Sequence, residues 1–375
     1  MSGIYIHIPF CKKACHYCNF HFSTQIEHLD DFVNALVKEM SLQKKYLNQP
    51  VETIYFGGGT PSLLDQAQLH KMIKGIQANF SLSPTVELTL EANPDDINIE
   101  KTKMWSGQGI NRLSIGIQSF QQEALNWMNR AHNTIQSHQS IENAKNAGID
   151  NLSIDLIYGT PHLTNEDLLK DIEILNHYQI PHVSCYALTV EEKTPLHTLI
   201  KNKKIEDIDA NKQAEHFEII VDQLEKIGFE HYEISNFAKP GHQSKHNSNY
   251  WKGVPYLGLG PSAHSFNVHS RQWNIANNHL YIQNINKDRV PFEVENLETP
   301  TRFNEYIMIS LRLLEGVNFQ EIEDRFGAAY LAHTINIKDQ LTNLGQLKNT
   351  QKGFCIAKEA RFLADGIASE FFITD

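Results

Sequence analysis

The sequence predicts an α/β protein: a partial (β/α)6 TIM-like barrel over residues 1–290 and a small C-terminal α+β module over 299–375. Three observations carry that expectation. Short β-type runs alternate with helical patterns through the first two thirds of the chain. Polar and glycine-rich motifs recur where those runs end. Near Thr299 the pattern changes to closely spaced helices and a hairpin. Strand–helix alternation places a parallel sheet beneath a layer of helices. About six units, rather than eight, point to an incomplete barrel, with an open flavodoxin-like sheet as the alternative. Both put ligands at the carboxyl ends of the strands.

The β-type runs are Ile4–Ile8, Thr53–Phe56, Val86–Glu91, Arg112–Ile117, Leu152–Ile157 and His182–Leu188. Between the first two, Leu29, Phe32, Val33, Leu36 and Met40 mark one helical face. Asp30 and Asp31 lie at its start and Lys44 and Lys45 at its end, as the helix dipole favours. Phe217, Ile220, Val221 and Leu224 form a later apolar face that Gly228 ends. Beyond Thr299, Phe303, Tyr306, Ile307 and Leu311 line a helix ending at Gly316. Asn318 with Glu321 makes a capping-box-like start to a helix that stops at Gly327. A third helix stops at Gly345, and Leu347–Leu363 reads as a hairpin turning at Lys352–Gly353. Helices followed by a hairpin raise a winged-helix, DNA-binding reading. Residues 301–375 carry ten acidic and eight basic side chains, so the electrostatic footprint of nucleic-acid binding is missing. A small lid or docking module is the expectation instead.

Composition agrees. With 375 residues, 41% hydrophobic and 21% charged, the chain reads as soluble and globular, with one large domain and a smaller one. A formal charge of −11 argues against a general polyanion binder. No apolar run is long enough to span a bilayer. Met1–Phe10 reads as a strand rather than a signal peptide, so the expected location is cytoplasmic. Three of the five cysteines fall within eight residues, while Cys185 and Cys355 stand alone. That is no disulfide framework.

The three are Cys11, Cys15 and Cys18, directly after the first strand. Soft thiolates suit zinc and iron–sulfur clusters, and three on one tight loop reach three corners of a [4Fe–4S] cubane. The fourth iron is then open to an incoming ligand. Zinc is the competing reading, with His16 or His21 as fourth ligand.

Tyr5-Ile-His-Ile-Pro-Phe-Cys11 with the CxxxCxxC spacing resembles the radical S-adenosylmethionine (SAM) branch that holds the oxygen-independent coproporphyrinogen III oxidases (HemN) and the HemW heme chaperones. The resemblance continues through Gly57-Gly58-Gly59-Thr60-Pro61, Glu91-Ala-Asn-Pro, Arg112–Gln118-Ser-Phe, Asn129-Arg130-Ala-His132 and Asp155-Leu-Ile-Tyr-Gly159. It implies a radical SAM core with a cluster on Cys11, Cys15 and Cys18. Tyr5, Gly58 and Glu91 would contact the SAM bound there. Tyr17, Gly59, Thr60, Gln118, Arg130 and Asp155 would line a second SAM position of the oxidase relatives.

Two places separate the relatives. The oxidases resemble CxxxCxxCxC, whereas this chain has Asn19-Phe20 after Cys18. His246-Asn247-Ser-Asn-Tyr250-Trp251 resembles the HNxxYW segment associated with heme binding in HemW, which implies His246, Asn247 and Tyr250 as heme contacts. Histidine is a good axial ligand and aromatic rings stack on porphyrins. The resemblance therefore implies a heme chaperone rather than a coproporphyrinogen oxidase, with heme and a recipient hemoprotein as partners; whether it forms a homodimer stays open, and peripheral membrane contact follows only where the recipient is membrane-bound. Tyr256–Gly260-Pro-Ser-Ala looks like a tight turn near the pocket. The alternatives are an oxidase that uses a 5′-deoxyadenosyl radical on coproporphyrinogen III, and a zinc-binding (β/α) scaffold without SAM.

Overall fold

The computed structural model describes residues 1–374. Six parallel strands form the centre: β1 (Ser2–Ile8), β2 (Val51–Gly58), β3 (Leu82–Ala92), β4 (Arg112–Gln118), β5 (Leu152–Tyr158) and β6 (His182–Ala187). They pair in sequential order with no switch point. That is barrel winding, and it removes the flavodoxin-like alternative, whose strand order reverses. The barrel stays open: β1 does not meet β6.

Alternation along each strand decides what lies inside. Ile4, Ile6 and Ile8 face outward and are fully buried beneath the surrounding helices. The other face of β1 carries Gly3, Tyr5 and His7, aligned with Thr53, Tyr55 and Gly57 of β2. Glu87, Thr89 and Glu91 of β3 and Asp155 of β5 continue this polar interior. Helix Leu29–Leu42 buries Phe32, Val33, Leu36 and Met40 against the sheet, as its period predicts.

The sheet is twice as wide as the alternating pattern predicts. β7 (Glu230–Glu233) and β8 (Asn236–Ala238) form a hairpin beside β6. β9 (Tyr256–Leu259), β10 (His264–Phe266), β11 (Ser270–Asn274) and β12 (Phe292–Asn296) extend it beyond β1. These strands are too short to register as periods. Tyr256–Leu259 is thus a strand parallel to β1 rather than a tight turn; the turn is at Gly260, whose φ is +96°.

A buried carboxylate locks this extension to the core. Glu39, on an otherwise apolar helix face, accepts bonds from Gly260 N (2.8 Å), Tyr281 OH (2.6 Å) and Asn274 Nδ2 (2.7 Å). Burial raises its pKa against the pull of those donors.

A second apolar core gathers Phe303, Ile307, Leu311, Ile322, Phe354 and Phe371. It is built on helices Thr299–Arg312, Phe319–Phe326 and Ala328–Asn343 with a small sheet of β13 (Val317–Asn318), β14 (Leu347–Asn349) and β15 (Gly353–Ile356). Asn318 caps its helix through Gln320 N (2.9 Å). Glu321 makes no reciprocal bond, so half of the expected capping box forms. Arg312 ties this unit to the barrel. Its Nε donates to the buried Glu233 (2.9 Å), and its guanidinium lies 5.1 Å from the Trp251 ring centre.

Candidate cofactor site

The loop after β1 carries Cys11, Cys15 and Cys18 across the carboxyl end of the barrel. It is pinned from several sides. Asn129, in left-handed conformation (φ +59°), donates to Ala14 O at 2.8 Å, and His16 N donates to Met128 O at 3.2 Å. Cys11 N bonds Ser23 O at 3.0 Å. Lys12 pairs with Asp95 (2.8 Å) and with Asp96.

Beneath the loop lies a cavity of about 370 Å³. The three cysteines, Tyr17, Gly58, Gly59, Thr60, Glu91, Gln118, Arg130 and Asp155 all line it, as do Tyr186 and Phe20. Eleven positions singled out from the sequence therefore meet at one opening. Tyr5 does not line it: its hydroxyl is 3.1 Å from His7 Nδ1. His7 Nε2 lies 2.8 Å from His21 O, which can only accept. Nε2 therefore carries the ring proton, and Tyr5 OH donates to Nδ1.

The glycine segment is shaped for close approach. A Cβ on Gly59 would lie 2.7 Å from the carbonyl oxygens of Ile8 and Phe10. Gly58 has φ +102°, and a Cβ there would meet the His7 ring at 2.5 Å. At the end of β4 the register slips and Gln118 takes φ +67°, turning its amide to the cavity. Thr60 Oγ1 donates to Cys11 Sγ at 3.3 Å. Arg130 spreads its fork across the site: NH1 reaches Cys15 Sγ (3.3 Å) and Tyr17 OH (3.4 Å), NH2 reaches Asn93 Oδ1 (2.8 Å) and Gly116 O (2.7 Å).

The thiols fit a cluster better than a single ion. Among the described residues no three His, Cys, Asp or Glu side chains converge on one metal position. A zinc ion needs such convergence, whereas a cubane offers a separate iron to each thiolate. Burial pushes the Cys11 thiol up to about 11, with Thr60 opposing. Ligation of iron would release that proton.

Two carboxyls face the cavity from below. Glu91 accepts from Tyr55 OH (2.8 Å) and Gly58 N (3.1 Å); Asp155 accepts from Ser114 Oγ (3.2 Å). Burial raises Glu91 to about 7, helped by the Asp155 charge, and raises Asp155 to about 6 against its hydrogen bonds. Both groups hold protons in the folded state that the unfolded chain has already released. These two groups therefore contribute stability that is fully present below the ordinary carboxylate range and is lost as pH rises through about 6 to 7, opposite in sign to the buried neutral histidines. Thermal melting between pH 4 and 8 checks this, and Glu91→Gln should flatten part of the slope.

The HNSNYW segment is placed apart. It is a seven-residue helix, Lys245–Trp251, at the other end of the barrel interior, and His246, Asn247 and Tyr250 do not line the cavity. His246 is buried, with Nδ1 2.8 Å from Thr53 Oγ1 and Nε2 2.8 Å from Tyr250 OH. Its ring stacks on Tyr55 at 4.9 Å. Burial, then the nearby Arg112 charge, lowers its pKa to about 3, so the imidazole is neutral. The residues that line the cavity include none from the C-terminal unit.

Asn93 and Asn129, which hold Arg130 and the cysteine loop, lie inside the Glu91–Pro94 and Asn129–His132 segments, whose other residues carry the visible signal. Tyr55 gave only a period-2 signal.

The Radical SAM superfamily model matches residues 5–175. A Bacillus subtilis protein named heme chaperone HemW is 33% identical over 377 residues, 99% of each chain. A Lactococcus lactis protein of the same name is 32% identical over 98% of each. Coproporphyrinogen III oxidase HemN from Escherichia coli superposes with a TM-score of 0.86 at 22% identity, over 99% of this chain and 89% of that one; that likeness shows the fold. No helix among the described residues is long and apolar enough to cross a membrane. With the cysteine loop, the strand-end motifs and a full-length match at this identity, the chain belongs to the HemW family of the radical SAM superfamily.

Proposed function

We propose that this protein is a heme chaperone, which carries a [4Fe–4S] cluster on Cys11, Cys15 and Cys18 with SAM beside it and delivers heme to a recipient hemoprotein. The names of the full-length relatives support that reading. The observation that carries it is the charge of the cavity. Its lining cations are Lys13 and Arg130, and Arg130 is already committed to four partners. Its acids are Glu91, Asp155 and Glu191. A porphyrinogen bearing four propionates would find little cationic charge there to pair with. At the rim, Phe20 is 64% exposed where the oxidases resemble a further cysteine.

A cluster with SAM supplies one-electron chemistry when reduced. The chain's own groups position the ligand. Backbone at Gly58, Gly59 and Thr60 approaches it closely, Glu91 and Gln118 offer polar contacts, and Arg130 with Asn93 keeps a cation beside the sulfurs. The cavity volume lies near the lower end for small-molecule sites, which supports one SAM rather than two. On this reading heme engages the Lys245–Trp251 helix. His246 would be the ligand offered to the iron, which requires Thr53 or Tyr250 to release one of its nitrogens.

One assay tests the reading: anaerobically reconstituted protein is given reductant, SAM and coproporphyrinogen III, and heme in a parallel sample. Stable heme uptake without protoporphyrinogen is expected. Turnover would overturn the chaperone reading in favour of the oxidase.

A further inference from the structure

The outermost strand, β12 (Phe-Glu-Val-Glu-Asn), is exposed along its whole length. Its backbone ladder to β11 runs through Glu293 and Glu295, bounded by Ile275 N to Pro291 O (2.9 Å) and Leu297 N to His269 O (2.9 Å). In an antiparallel pair the alternate residues turn their N–H and C=O groups away from the partner. Val294 and Asn296 therefore present an open edge to solvent. Phe292 and Val294 share one face and are 45% and 56% exposed. Glu293 and Glu295 share the other. Arg271, opposite Glu295, is ion-paired with Glu305 instead (2.6 Å). Neither strand glutamate has a cationic partner among the described residues.

One end of the edge lies toward the segment that holds His21. β11 runs toward the residues that contact the cysteine loop, where Asn278 meets His21. β12 starts at that end and runs back.

We infer that β12 is a docking edge for a protein partner, which adds an extended segment with apolar residues on one face and lysine or arginine on the other. Free backbone groups supply the affinity and the side-chain alternation supplies the choice. Charge selects against a second copy of this chain: antiparallel pairing centred on Val294 would set Glu293 against Glu295, and like charges directly opposite destabilise. The inference stands whether or not heme is the cargo.

The test uses the full-length protein and fluorescent peptides alternating lysine with valine or glutamate with valine. The lysine peptide should bind, and Val294→Pro, which removes an edge donor and keeps every charge, should weaken it by about tenfold or more. Glu293→Lys with Glu295→Lys should reverse the preference between peptides. Unchanged thermal melting and cluster content confirm that each variant folds. Equal binding by wild type and Val294→Pro would overturn the inference. A wild-type dimer that Val294→Pro dissolves would also overturn it, because the occupant would then be a second copy.

Discussion

Cys15→Ser is expected to lose the cluster outright, with iron and sulfide falling to background and the charge-transfer absorbance absent. Two thiolates cannot hold a cubane that three share, and a serine hydroxyl is a hard, weakly acidic substitute for a soft ligand. Cys15 is also the thiol that touches Arg130, at 3.3 Å. The serine oxygen can still accept from that guanidinium, so the loss falls on the cluster rather than on Arg130. Cys11→Ser and Cys18→Ser should behave alike, whereas Cys185→Ser and Cys355→Ser should retain full iron, since both thiols lie outside the cavity. Iron and sulfide at wild-type levels in Cys15→Ser would defeat the assignment.

His246→Ala should produce two separable losses. The imidazole fills a buried site and satisfies the hydroxyls of Thr53 and Tyr250. Removing it opens a cavity and orphans both, a cost of about 2–4 kcal/mol readable as a lowered thermal midpoint. Heme uptake, followed by its absorbance, should weaken sharply while iron and sulfide stay at wild-type levels, because the segment shares no contact with the cysteine loop. An unchanged heme spectrum in a folded variant would move the axial ligand elsewhere.

The sequence carried more of the site than of the sheet. Cys11, Gly58, Glu91, Gln118 and Asp155 sit at or near the ends of long strands whose apolar runs are plain to read, and chemistry at strand ends follows from barrel winding. β7–β12 escaped notice because three- to five-residue strands with polar faces leave no period to detect. Glu39 escaped for the opposite reason. It sits in a clear helical pattern, where a glutamate reads as solvent-facing, and only the distant arrival of Gly260, Asn274 and Tyr281 makes it a core residue. The HNSNYW helix lies between these cases. Its residues were visible, but nothing local reveals that His246 turns into the barrel toward Thr53.

The pairing of β9 with β1 has a consequence for how the chain is made. Gly3 meets Tyr256, so β1 keeps one flank bare during synthesis until Tyr256 has followed. Such distant closure slows folding and prolongs exposure of a sticky edge. The cysteine loop hangs from that same strand, and His21 waits for Asn278 to hold it. Metallation thus belongs late in biogenesis, after synthesis has passed the barrel.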